Sequence, residues 1–141
     1  MTNGPAAPSA ILESALYADD LERAEAFYGG ILGLEKIVDV AGRHVFFRCG
    51  AGVLLIFNPE ATQKPSDNPS MPVPPHGTTG QGHLCFSASA DEIEGWVMHL
   101  SANGVAIEVD FHWPNGGRSI YFRDPAGNSL EFAEPKIWGI A

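Results

Sequence analysis

Apolar positions recur along the chain in two rhythms. Over residues 11–18, and again over 83–88, apolar and small or polar residues alternate as they do in a strand. A stretch with helical spacing follows each run. Leu21, Ala24, Phe27, Tyr28, Ile31 and Leu32 fall on one helical face, and Ile93, Trp96, Val97 and Leu100 on another. Asp19 and Glu22 form D-x-x-E, a relative of the capping box, and Ser89 and Glu92 form a full one. Gly33 and Gly104 stand where a helix needs a stop, and Gly29 and Gly30 weaken the last turns of the first helix. Three shorter runs then follow each helix: 35–40, 43–48 and 52–58, then 106–111, 118–122 and 128–134. The order strand, helix, three strands therefore occurs twice.

The halves also resemble each other residue by residue. FFRCGAGVLLIFNPE (46–60) and YFRDPAGNSLEFAEP (121–135) share six of fifteen residues at a constant offset of 75, without a gap. Both read as β-hairpins, because Pro and Gly supply the dihedrals that a tight turn needs. The expected fold is α+β, two tandem βαβββ modules with concave mixed sheets. A flexible N-terminus (1–9) precedes the first module (10–58), an inter-module loop (59–80), the second module (81–135) and a C-terminal tail (136–141). The loop is rich in Pro, Ser, Asn and Gly, and its length suits either a connector or a functional segment.

Strand parity sorts the side chains. Leu130 and Phe132, Leu84 and Phe86, and Leu12 and Leu16 are expected to face the helices. Glu131, His83 with Cys85, and Glu13 with Tyr17 then turn to the opposite, concave face. Under the ungapped alignment Ile56 corresponds to Glu131, and Glu13 and His83 occupy corresponding places before their helices, about seventy positions apart. Three of these four quasi-equivalent places hold a metal-ligating side chain, a donor set that suits a divalent cation such as Zn, Mn, Fe, Co or Ni. Each has a plainer alternative: an ion pair from Glu131 to Arg48 or Arg118, a core histidine at His83, a rim carboxylate at Glu13. Cys85 reads as a small hydrophobe beside the pocket. Tyr17, His44, Phe46 and Tyr121 have the parity of cavity lining. Trp113 is placed to cover the pocket, and Arg118 either to hold an anionic group or to sit on the surface. Asp124, Pro125 and Gly127 are assigned to turn geometry.

Composition narrows the partners. A net charge of −9 disfavours nucleic acid and anionic membranes, since no basic cluster offsets it. The first residues lack the basic and apolar regions of a signal peptide, and no run of about 20 apolar residues is present, so a cytoplasmic protein is expected. Cys49 and Cys85 have no metal or redox spacing and read as two free thiols.

E-x-x-L-x-x-D-D-L-x-x-A-x-x-F-Y, Glu13 to Tyr28, resembles the opening of glyoxalase / bleomycin-resistance / dioxygenase (vicinal oxygen chelate) proteins. F-R-D-P-A-G-N-S-L-E, Phe122 to Glu131, resembles their closing hairpin. The resemblance runs from Ile11 to about Pro135. It implies a divalent metal held by Glu13, His83 and Glu131, with Glu13 and Glu131 in catalytic roles. It further implies a homodimer whose sites are shared between chains, and a lyase, isomerase or thiol transferase acting on a small oxygenated molecule. The alternative it implies is a metal-free drug-binding protein of the bleomycin-resistance type. Glyoxalase I carries a fourth ligand where this chain has Ile56. Fosfomycin thiol transferases use three ligands, with His where this chain has Glu13. Extradiol dioxygenases use two His and one Glu, a set this chain does not offer.

Overall fold

The computed structural model describes residues 4–141; the first three residues of the expected flexible N-terminus lie outside them. Eight strands form two four-stranded sheets. In chain order, β1 (Glu13–Tyr17), β2 (Glu35–Val40), β3 (His44–Cys49) and β4 (Gly52–Phe57) make the first, in the spatial order β1-β4-β3-β2. The second repeats this with β5 (His83–Ser87), β6 (Val109–His112), β7 (Arg118–Arg123) and β8 (Ser129–Ala133), ordered β5-β8-β7-β6. In each, the first strand runs parallel to the last and the other pairs are antiparallel. The parallel pair requires a crossover, and the helix of each module provides it. Two βαβββ modules of an α+β fold result, as the sequence pattern predicts.

The helices show where local chemistry sets boundaries. Helix α1 (Leu21–Glu25) is capped by Asp20, one residue later than expected, whose carboxylate accepts the Arg23 N–H at 3.1 Å. It widens into a π-helical segment, Ala26–Ile31, in which the Leu32 N–H reaches the Phe27 carbonyl. Gly29 suits that turn: a Cβ there would stand 3.4 Å from the Phe47 ring. Gly33, at φ +75°, ends it. A short helix α2 (Pro59–Thr62) opens the inter-module loop, and α3 (Ala90–Ala102) carries the reciprocal Ser89–Glu92 capping box.

The helix-side faces of both sheets share one core. Leu16, Phe27, Tyr28, Phe47, Leu54 and Ile56 of the first module join Ile93, Leu100, Ile120, Phe122, Leu130 and Phe132 of the second. Each such side chain contributes on the order of 1.5–3 kcal/mol by leaving water. Leu12 does not take part; it precedes β1 and is 73% exposed. A polar bridge also joins the modules. The Tyr28 hydroxyl, on the first helical segment, donates to Asp124 Oδ2 at 2.6 Å. Asp124 accepts the Ala126 and Asn128 backbone N–H groups and the Asn128 side-chain amide as well. Asn128 then donates to the Tyr17 carbonyl and accepts from the Gly82 N–H. Asp124 is therefore more than a turn residue: it ties the closing hairpin to the first module.

Candidate functional site

The register of the sheets arranges the concave side chains in rows. On the first sheet one row is Glu13–Val53–Arg48–Glu35, the next Ala15–Leu55–Phe46–Val38, the third Tyr17–Phe57–His44–Val40. The matching rows of the second sheet are His83–Ser129–Arg123, then Cys85–Glu131–Tyr121–Val109, then Ser87–Ala133–Ser119–Phe111. Glu13 and His83 thus hold corresponding places, as the sequence predicts. Ile56 does not correspond to Glu131. Four residues separate Arg48 from Val53 but five separate Arg123 from Ser129, so beyond the turn the offset becomes 76 and Leu55 is the counterpart of Glu131. Ile56 pairs with Leu16 and is fully buried in the helix-side core.

Glu131 and His83 form the chemical centre of the second face. Glu131 is 4% exposed, and its Oε2 is buried without a hydrogen-bond partner. His83 Nδ1 lies 2.9 Å from the Ser129 carbonyl oxygen. A carbonyl only accepts, so Nδ1 carries the hydrogen, and Nε2 is the ring nitrogen left to face the carboxylate. That nitrogen, Nε2, stands 3.4 Å from Glu131 Oε1. A carboxylate oxygen and an imidazole nitrogen face each other there, an arrangement that a shared proton or a metal cation can bridge. The ion pairs anticipated as alternatives for Glu131 do not form. Arg48 pairs with Glu35, and Arg118 with Asp110 and Glu94. Arg118 has the parity of Ile120 and points to the helix side, so it is not a ligand-holding residue of the concave face.

Cys85 and Tyr121 flank Glu131 on neighbouring strands. Burial, and then the Glu131 carboxylate, push the Cys85 thiol up to about 12 and the Tyr121 hydroxyl up to about 12. Both stay protonated at neutral pH. The Tyr121 ring stacks toward His83, with centroids 6.2 Å apart. Trp113 covers the far row, donating its indole N–H to Ser119 Oγ at 2.7 Å and packing on Phe111.

Glu13, His44 and Phe46 lie elsewhere. They line a cavity of about 1050 Å³ on the first sheet, together with Val53, Leu55 and Phe57. The inter-module loop supplies its other wall through residues such as Met71, Val73 and His76. Tyr17 borders it and is hydrogen-bonded through its hydroxyl to His76 Nδ1 at 2.7 Å. Within one chain Glu13 does not join His83 and Glu131: among the described residues no three His, Cys, Asp or Glu side chains converge as a metal site would require. Sequence parity finds Glu13, Tyr17, His44, Phe46, His83, Cys85, Tyr121 and Glu131, but misses Val53, Leu55 and Phe57 of β4, which the ungapped alignment turns to the other face. His76 has no signal beyond being a histidine in a Pro-rich loop.

This architecture defines a class. The family model of the Glyoxalase/Bleomycin resistance protein/Dioxygenase superfamily matches residues 10–132, and the chain belongs to that superfamily. Among solved structures it is similar to a lactoylglutathione lyase from Agrobacterium tumefaciens, at 46% identity and a TM-score of 0.88, over 96% of this chain and 100% of that one. It is also similar to a glyoxalase/dioxygenase from Nostoc punctiforme (25% identity, TM-score 0.66, 94% of this chain and 97% of that one). An integron cassette protein from the mobile metagenome of the Halifax Harbour sewage outfall shares the fold (24% identity, TM-score 0.71, 90% and 99%). No curated protein matches the chain. No helix among the described residues is long and apolar enough to cross a membrane.

Proposed function

We propose that the protein is a divalent-metal-dependent enzyme, a lyase, isomerase or thiol transferase, acting on a small oxygenated organic molecule. The observation that carries this reading is the buried Glu131 carboxylate, with Oε2 unpartnered and Oε1 facing His83 Nε2. The donor chemistry fits a cation such as Zn, Mn, Ni, Co or Fe, with His83 and Glu131 as ligands. Membership of a superfamily that commonly uses divalent metals, and similarity to a lactoylglutathione lyase, support the same reading. One chain brings two donors together, and the third, Glu13, is assigned to a second copy whose first sheet faces this second sheet. A homodimer with shared sites follows from that assignment.

Such a cation supplies Lewis-acid polarisation of the substrate's oxygens. The chain's own residues do the rest. The Ser129 carbonyl fixes the His83 tautomer. Glu13, exposed at the start of its strand, accepts a proton from the substrate.

A second reading, a metal-free small-molecule binder, is favoured by the roomy cavity on the first sheet. Metal analysis separates the two. The enzyme reading expects stoichiometric divalent cation in purified protein, lost in a folded Glu131→Ala variant. A wild-type protein that stays empty after incubation with Zn, Mn, Ni and Co supports the binder, and unchanged metal in Glu131→Ala removes the site assignment.

A further inference from the structure

The cavity on the first sheet is polarised along its length. Glu13 stands at one end, where β1 begins. Tyr17, Phe57 and His44 share a row further along, about 13 Å away at about 3.3 Å per residue. Past that row the Arg43 carbonyl accepts from the N–H of Asn58, the cap of α2. Arg43 and Lys64 gather there round one carbonyl: Ala61 O accepts from Arg43 Nη1 at 3.5 Å and from the Lys64 backbone N–H at 3.3 Å. Both residues line the cavity. Between the two ends the wall is apolar and partly aromatic. His44 stacks on Phe46 at 4.0 Å, Phe57 meets both edge-on, and Leu55 pairs with Phe46 on the neighbouring strand.

The polar groups at the far end are unmet. Of the eight Lys and Arg residues, Lys36, Arg48, Arg118 and Arg123 pair with carboxylates. Arg43 and Lys64 form no ion pair among the described residues, although Glu13 and Asp67 share their lining. Asp39, on the neighbouring strand, is already held by Lys36 at 2.7 Å. Arg43 is half-buried, and its single long bond to Ala61 leaves most of the guanidinium donors unused. His44 beside it has a buried Nδ1 without a hydrogen-bond partner, a cost that an empty site carries. The net charge of −9 repels anions overall, so any preference for an anion here has to be local. One carboxylate fits these groups, because a guanidinium can take it bidentately while an ammonium adds a second charge-assisted bond. Glu13 and Asp67 oppose a second negative charge in the same cavity. Its volume, about 1050 Å³, has room for a fused-ring body as well.

We infer that the first-sheet cavity binds an amphipathic monocarboxylate, its carboxylate between Arg43 and Lys64 and its ring-bearing apolar body along Phe57, Phe46 and Leu55. The anion-holding role thus falls to Arg43, since Arg118 is turned to the helix side. This inference deepens the proposed function and rests on it for the other end of the molecule: the oxygens meant for the cation lie toward Glu13, and the acid group lies at the opposite end of the cavity. The substrate class is then an oxygenated aryl acid.

The test is a calorimetric titration of the metal-free full-length protein with β-naphthylacetate and with β-naphthylethanol, which keeps the ring and chain length and lacks the charge. Saturable β-naphthylacetate binding is expected, about tenfold or more tighter than that of the alcohol. Arg43→Gln and Lys64→Gln should each weaken the acid by about fivefold or more and leave the alcohol unchanged. Phe46→Ser should weaken both probes. Arg23→Gln, which removes an exposed arginine outside the cavity, should change neither. Every variant is checked for native circular dichroism, and Lys64→Gln, at an exposed position, carries the test if Arg43→Gln does not fold. The inference is overturned by any of four results: no saturable acid binding, an alcohol bound as tightly as the acid, an equal loss in Arg23→Gln, or unchanged acid affinity in a folded Arg43→Gln, Lys64→Gln or Phe46→Ser protein. Metal content is measured separately. A protein that binds β-naphthylacetate but no cation keeps this inference and loses the enzyme reading; one that binds cation but no β-naphthylacetate does the reverse.

Discussion

Single residues carry two different loads in this protein. Asp124 is structural: it accepts from the Tyr28 hydroxyl and from three further N–H groups, so the first helix is anchored to the last hairpin by one buried carboxylate. Burial, and then Asp124 beside it, hold the Tyr28 hydroxyl well above its ordinary range, so it stays a donor. Tyr28→Phe removes one charge-assisted bond and is expected to cost about 1.5–3 kcal/mol in a urea melt, without changing metal content. Glu131 is the opposite case, a buried carboxylate with an unpartnered oxygen. The contrast is only half legible in the sequence. D-P-A-G-N reads as a turn from its dihedral preferences, but its Asp–Tyr partnership spans 96 positions and leaves no local trace. Glu131 in an apolar strand does announce itself, because a carboxylate there needs a reason.

At the scale of elements, strand parity is a reliable guide and the repeat a misleading one. Parity places Glu13, His83, Cys85, Tyr121 and Glu131 on concave faces, and the register agrees. The repeat carries an ungapped offset across two turns of different length, and a shift of one residue turns a side chain to the other face of a sheet. Ile56 is misplaced by that shift, and Leu55 inherits its role. Ile56→Glu is therefore expected to unfold the protein by burying an unpaired charge, a loss of several kcal/mol, whereas Leu55→Glu places its charge on the cavity side and is expected to cost less. Thermal melts of the two variants decide this. An Ile56→Glu protein as stable as Leu55→Glu would refute the register. Helix α3 gives an independent measure: Ser89→Ala is expected to cost about 0.5–2 kcal/mol, since the capping box is fully formed. Arg118, expected from the sequence either to hold an anionic group or to sit on the surface, instead locks α3 to the second sheet through Glu94 and Asp110. Its hydrogen bonds to Asp110 hold that carboxyl below the usual range. Asp110 therefore contributes stability above the ordinary carboxylate range, and the contribution is lost as pH falls through its depressed value. Asp110→Asn should lower the melting temperature at neutral pH, with the difference shrinking as both proteins are acidified.

At the scale of the whole molecule, each chain presents two concave faces. One face holds the carboxylate–imidazole pair and the other holds Glu13 with the apolar cavity. Both lie on sheets whose opposite sides are sealed into a common core, so the chain cannot fold one face onto the other without breaking that core. The shared-site reading proposed above therefore calls for a second copy. The direct measurement is metal retention after mixing two variants that are each defective in a different half. Glu13→Ala keeps the His83–Glu131 pair, and the double variant His83→Ala, Glu131→Ala keeps Glu13. Neither should retain a divalent cation through gel filtration when alone. After the two are unfolded together and refolded, mixed dimers should recover one tightly held cation each, because one of their two shared sites is intact. Mixed dimers that recover none, or a Glu13→Ala protein that already retains its cation, would contradict the shared site.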